Sequence, residues 1–148
     1  MHDTSVPLIA FTGITLAGTT YLSQHDCMGD DEFSRRILRV CIAFQVITIV
    51  AALFHNMAWT EVAHIVYVVA ITLLATQSKS KCTLDTLSIL IAGVIVSRII
   101  IGKCMYNYDE GKYGDSSVFR SVPKSVADLI NVVLLGTSLY RSSKMRIQ

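Results

Sequence analysis

The chain has 148 residues, of which 52% are hydrophobic and only 16% charged, with a formal net charge of +2. An ordinary soluble domain carries about 25% charged residues, and here the mean hydropathy is +0.51. That balance argues against a soluble globular domain, and the lack of a basic patch with interleaved aromatics argues against a nucleic-acid partner.

Crossing the hydrocarbon core takes roughly 20 apolar residues. Five segments are candidates: Pro7–Ser23, Ile37–Phe54, Val62–Gln77, Leu84–Cys104 and Pro123–Tyr140. The predicted fold class is all-α, a polytopic membrane helical bundle forming one domain over residues 1–148. Both prolines of the chain, Pro7 and Pro123, sit where a helix can begin, a position at which the missing N–H costs little.

The first segment, PLIAFTGITLAGTTYLS, follows a flank that holds Asp3 and no lysine or arginine. A cleaved signal has a basic flank, so this segment is expected to stay as a helix. It carries Thr12, Thr15, Thr19 and Thr20 beside the small-xxx-small pair Gly13 and Ala17; Gly93 and Ser97 form a second such pair in the fourth segment. Small residues let helices approach closely in lipid, so packing is the expected role. A hydroxyl-lined pore is the alternative. The following stretch, HDCMGDDEFSRR, lacks the D-x-D-x-D-G order of a calcium loop and reads as a solvated acidic loop.

Between the second and third segments lies HNMAWTEVAH. Glu61 and His64 are three apart, on one face of a helix, and His55 ends the preceding span. An E-x-x-H pair ligates metal in di-metal bundles only with a second pair and two more carboxylates, which this chain does not offer. The stretch reads as a polar turn with Trp59 at the interface, and the polar residues at its start make the third segment the weakest of the five.

The fourth segment, SILIAGVIVSRIII, places Arg98 among aliphatic residues. Asp128 is predicted at about the same depth on the next, antiparallel helix, so an Arg98–Asp128 pair is natural, with Asn131 one turn deeper as a further acceptor. Two simpler readings compete. Arg98 snorkels to the headgroups, or Asp128 completes a capping box with Ser125. The connection YNYDEGKYGDSSVFRS holds Tyr106, Tyr108 and Tyr113, residues suited to a membrane–water interface.

The four cysteines make no CxxC and no zinc-type pattern. Cys41 reads as a small buried hydrophobe, and Cys27 and Cys82 are juxtamembrane candidates for palmitoylation. Five spans put eight basic residues (Arg35, Arg36, Arg39, Lys79, Lys81, Arg141, Lys144, Arg146) on one face and four (Lys103, Lys112, Arg120, Lys124) on the other. Positive charge favours the inner side, which predicts the N terminus outside and the C terminus inside.

No HExxH, GxSxG or phosphate-binding loop occurs. The expected function is a non-catalytic structural or assembly component of a membrane complex, with lipids and other subunits or further copies of itself as partners and no cofactor. A small oligomeric channel or transporter using Arg98, Asp128 and Asn131 is the alternative. An enzyme built on His55, Glu61 and His64 ranks last.

Overall fold

The computed structural model describes residues 5–24, 31–54, 56–101 and 124–145. Five α-helices account for nearly all of these: α1 (Ser5–Gln24), α2 (Glu32–Leu53), α3 (Met57–Gln77), α4 (Lys81–Ile101) and α5 (Lys124–Met145). Several begin earlier than hydropathy alone places them, because polar side chains cap them outside the apolar stretch. Asp31 caps α2 by accepting from the Ser34 N–H at 3.2 Å, and Asn56 caps α3 by accepting from the Trp59 N–H at 3.3 Å. Ser80 does the same for α4 through the Thr83 N–H at 3.2 Å. Such caps satisfy amide groups that the first helical turn leaves without partners.

Among the described residues three helices are long and apolar enough to cross a membrane: α2, α3 over Ala58–Gln77 and α4 over Lys81–Ile100. The third segment, expected to be the weakest, is thus one of the three. Glu61 and His64 fall in its first two turns and leave the following turns apolar. The first helix has the shorter apolar stretch Leu8–Tyr21.

Short connections at 54–56 and 78–80 turn α2, α3 and α4 into antiparallel neighbours. Helix α5 runs antiparallel to α4, since Asp128 near its start meets Arg98 and Ser142 near its end meets Asp85. One end of the bundle therefore gathers the start of α2, the end of α3, the start of α4 and the end of α5. We call it the Asp31 end, and the opposite one the Arg98 end.

The buried faces repeat every three or four residues. In α1 they are Leu8, Thr12, Thr15 and Thr19; in α2, Ser34, Leu38, Cys41, Gln45, Thr48 and Ala52. In α4 the stripe includes Leu84, Leu87, Ile91 and, one further heptad on, Arg98. This 3.5-residue period keeps one seam of each helix against its neighbours. The apolar core joins Leu38 and Cys41 of α2 to Tyr67, Ile71 and Leu74 of α3, Leu87 and Ile91 of α4, and Leu134 of α5. Helix α1 adds threonines instead and packs mainly on α2.

The described bundle mixes hydroxyl residues into its apolar core and leaves many aliphatic residues on its surface. Serines and threonines are buried, whereas Val50, Val69, Ile89, Ile99, Val132 and Val133 are exposed. Most hydroxyls in this interior bond back to their own helix or across to the next. Thr15 donates to the Thr12 carbonyl, and Ser88 and Ser138 donate to carbonyls four residues earlier.

The small-residue motifs do not pack as expected. A Cβ added at Gly13, Gly18, Gly93 or Gly136 would meet nothing within 4 Å, so these glycines face outward. Within the chain α1 instead makes contact through the adjacent threonine face. The reason is angular: Thr12, Thr15 and Thr19 lie on one stripe, and Gly13 is rotated by about 100° from Thr12.

Thr19 and Gln45 are the clearest link between α1 and α2. The Thr19 hydroxyl lies 2.7 Å from Gln45 Oε1, 2.9 Å from the Thr15 carbonyl and 3.0 Å from the Leu16 carbonyl. A hydroxyl has one proton for these three acceptors, while Gln45 Nε2 is buried without a partner. Turning the amide over resolves both problems: Nε2 then donates to Thr19, and Thr19 donates to its own helix. Because Thr19 keeps those backbone bonds without Gln45, Gln45→Leu is expected to leave thermal stability in detergent unchanged or raised by up to ~1 kcal/mol. Gln45→Glu, which places a carboxyl group in the same dry site, is expected to lower it clearly.

Candidate functional site

Polar groups converge at both ends of the bundle. At the Arg98 end, Arg98 continues the buried stripe of α4 and is 8% exposed. Its Nε donates to Asp128 Oδ1 at 2.6 Å. The expected pair is present, and Asp128 is committed to Arg98 rather than to a capping box with Ser125. The arginine also lies in the last turn of α4, where the helix dipole favours a cation. Asp128 is the more open partner, with 43% of its side chain exposed against 9% for Arg98.

Asn131 does not take the acceptor role expected of it. It donates its Nδ2 to the Ala127 carbonyl at 3.0 Å, because an amide one turn deeper is satisfied more cheaply by its own backbone than by reaching the next helix. Half-buried His64 of α3 comes within electrostatic reach of Arg98. Glu61, also half-buried, precedes it by three residues on α3. His55 lies outside the described residues, as do Tyr106, Tyr108 and Tyr113. Among the described residues no group of three or more His, Cys, Asp or Glu side chains is placed to hold a metal ion.

The Asp31 end carries a denser network. Asp31 Oδ2 accepts from the Ser34 hydroxyl at 2.6 Å, the Lys79 N–H at 2.6 Å and the Ser78 hydroxyl at 3.2 Å. The cap of α2 is thereby tied to the turn that follows α3. Arg141 of α5 reaches the same turn and donates to the Ala75 and Ser78 carbonyls, both at 2.8 Å. One guanidinium thus satisfies two of the carbonyls that the end of α3 leaves open. Asp85 of α4 joins Lys81 of its own helix to Ser142 of α5.

Burial alone would raise the Asp31 pKa. The hydrogen bonds from Ser34, the Lys79 amide and Ser78 outweigh it and hold the carboxyl below the ordinary aspartate range. Reading residues 26–32 as a solvated acidic loop misses this role of Asp31. The available signal is an aspartate directly before E-F-S at the start of a helical pattern, a capping signature. Arg141 offers no such signal, since its carbonyl partners come from a helix more than 60 residues away.

Between α1, α2, α3 and α4 lies a cavity of about 10 Å³, lined by Thr19, Cys41, Tyr67, Leu74 and Thr83 among others. It has room for about one water molecule, and the buried Thr83 hydroxyl has no partner of its own. Neither a substrate nor a hydrated ion fits there. At both ends these bonds attach one helix to another. No family model matches the chain, and no curated protein or solved structure is significantly similar to it.

Two outcomes follow for the two ends. Stranding one member of a buried ion pair costs ~3–5 kcal/mol, and the exposure of Asp128 places this pair at or below the low end of that range. Arg98→Leu and Asp128→Leu should each lower the melting temperature, and the double variant should recover much of the loss; purely additive losses would show that the residues are uncoupled. At the other end Asp31→Ala should cost ~0.5–2 kcal/mol as a lost cap. Because the Asp31 pKa is lower in the folded state, its contribution is complete above the unfolded value of about 3.9 and disappears as pH falls through the folded value. The acid limb of a pH–stability profile should therefore be shallower for Asp31→Ala than for the wild type.

Proposed function

We propose that this chain is a non-catalytic, multi-spanning membrane protein that serves as a structural or assembly component of a larger membrane complex. One observation carries the reading: polar bonds join helix to helix while many large aliphatic residues face outward. In lipid, packing and interhelical hydrogen bonds take over the role that water-driven burial plays in soluble bundles. Asp31 with Lys79, Arg141 with the end of α3, Arg98 with Asp128, and Thr19 with Gln45 are bonds of that kind. The outward glycines Gly13, Gly18, Gly93 and Gly136 leave flat surfaces for lipid, another subunit or a further copy of the chain. On the same reading the basic residues gathered at the Asp31 end orient the N terminus outside and the C terminus inside.

A second reading, a small oligomeric channel or transporter, is favoured by the gathering of Arg98, Asp128 and His64, since ionisable groups inside a membrane mark such routes.

The protein solubilised from its own membrane should migrate as part of an assembly heavier than one chain. Purified and reconstituted into liposomes, it should pass no selective ion flux. A reproducible selective current abolished by Asp128→Leu would replace the assembly reading with the channel one.

A further inference from the structure

The outward face of α2 changes character along its length. Arg35, Arg36 and Arg39 are exposed near its start. Ala43, Val46, Val50 and Leu53 are exposed in the turns that follow. At ~3.6 residues per turn, Arg35 and these four lie within about 40° of Arg39 around the helix axis. They form one stripe, cationic at the Asp31 end and aliphatic beyond it.

The bundle packs α2 through its other face, with Leu38, Cys41, Gln45 and Thr48 buried. The two acids at the start of α2 are already engaged. Glu32 pairs with Arg36 at 2.5 Å, and the Asp31 carboxylate is turned onto Ser34, Ser78 and the Lys79 amide. Arg39 has no ion pair among the described residues.

The uncharged run from Val40 to Leu53 is about 21 Å long as a helix, short of a ~30 Å hydrocarbon core. Once α2 crosses a bilayer, Arg39 therefore starts at hydrocarbon depth. Charges at that depth ordinarily face the bundle interior, but Arg39 faces out of it. A lipid-facing arginine lowers its cost by extending toward the headgroups. Its planar fork pairs with a phosphate through two parallel hydrogen bonds. The aliphatic part, Ala43 to Leu53, runs about 15 Å, the depth of one leaflet of that core.

We propose that this stripe binds one anionic phospholipid, with the phosphate on Arg39 and Arg35 and an acyl chain along Ala43, Val46 and Val50. The site rests on the membrane reading given above. On the topology proposed there it opens to the inner leaflet, where anionic lipids concentrate. A choline headgroup carries its own cation beside the phosphate, so lipids with net negative charge are preferred.

The test uses the full-length protein in phosphatidylcholine vesicles with trace spin-labelled lipid, electron spin resonance reading the label held at the protein. Labelled phosphatidylglycerol should be held about fivefold more strongly than labelled phosphatidylcholine, the scale of one arginine near an anionic headgroup. Arg39→Gln should remove most of that preference, and Arg39→Lys should keep most of it. Lys144→Gln, at the same end but off the stripe, should leave it unchanged. Ala43→Asp sets a carboxylate one turn from Arg39 and should also lower the preference, which keeps the test decisive if Arg39→Gln does not accumulate. Deacylated glycerophosphoglycerol at equal ionic strength should leave the label in place.

Equal headgroup binding in the wild type, or a preference untouched by both stripe variants, would overturn the site. Displacement by the soluble phosphodiester would overturn it as well, in favour of free phosphate. Alkaline carbonate extraction separates this failure from a deeper one. Protein washed off the vesicles refutes the membrane reading itself, whereas inserted protein without headgroup preference refutes the lipid site alone.

Discussion

The Asp31 carboxylate is the constraint on which the described bundle most depends. It caps α2, holds the turn after α3 through Ser78 and the Lys79 amide, and so fixes where α4 begins. Arg141 then brings α5 to the same turn by satisfying the last carbonyls of α3. Four helices thus meet at one carboxylate and one guanidinium. Each end of a helix leaves backbone groups without partners, and here the open groups of one helix are satisfied by another. That economy couples helix ends that would otherwise fray independently.

The Arg98 end works by a different balance. A single ion pair, lopsided in exposure, joins α4 to α5 there. Arg98 occupies a heptad position after Leu84 and Ile91, so its burial follows from the helical period. Its partner follows from the antiparallel return of α5. His64 nearby adds a third ionisable group to that pair. The two ends differ accordingly in what perturbs them: charge removal at one, loss of caps at the other.

The sequence by itself determined the helical class and the order of the five described helices, because these depend on apolar segment length, while it left the Arg98–Asp128 pair competing with snorkelling and with a capping box until the packing decided. Polar starts such as Asp31 were legible only as capping chemistry, and hydropathy hides them because it scores the same residues as loop. Tertiary structure alone decided the rest. Whether Gly13 or Thr12 faces α2 is a matter of rotation about a helix apolar on every side, which no periodicity in hydrophobicity reports. Arg141 finds the end of α3 because the carbonyls of Ala75 and Ser78 are left open there. That is a property of the packed bundle, and it cannot be read from spacing along the chain.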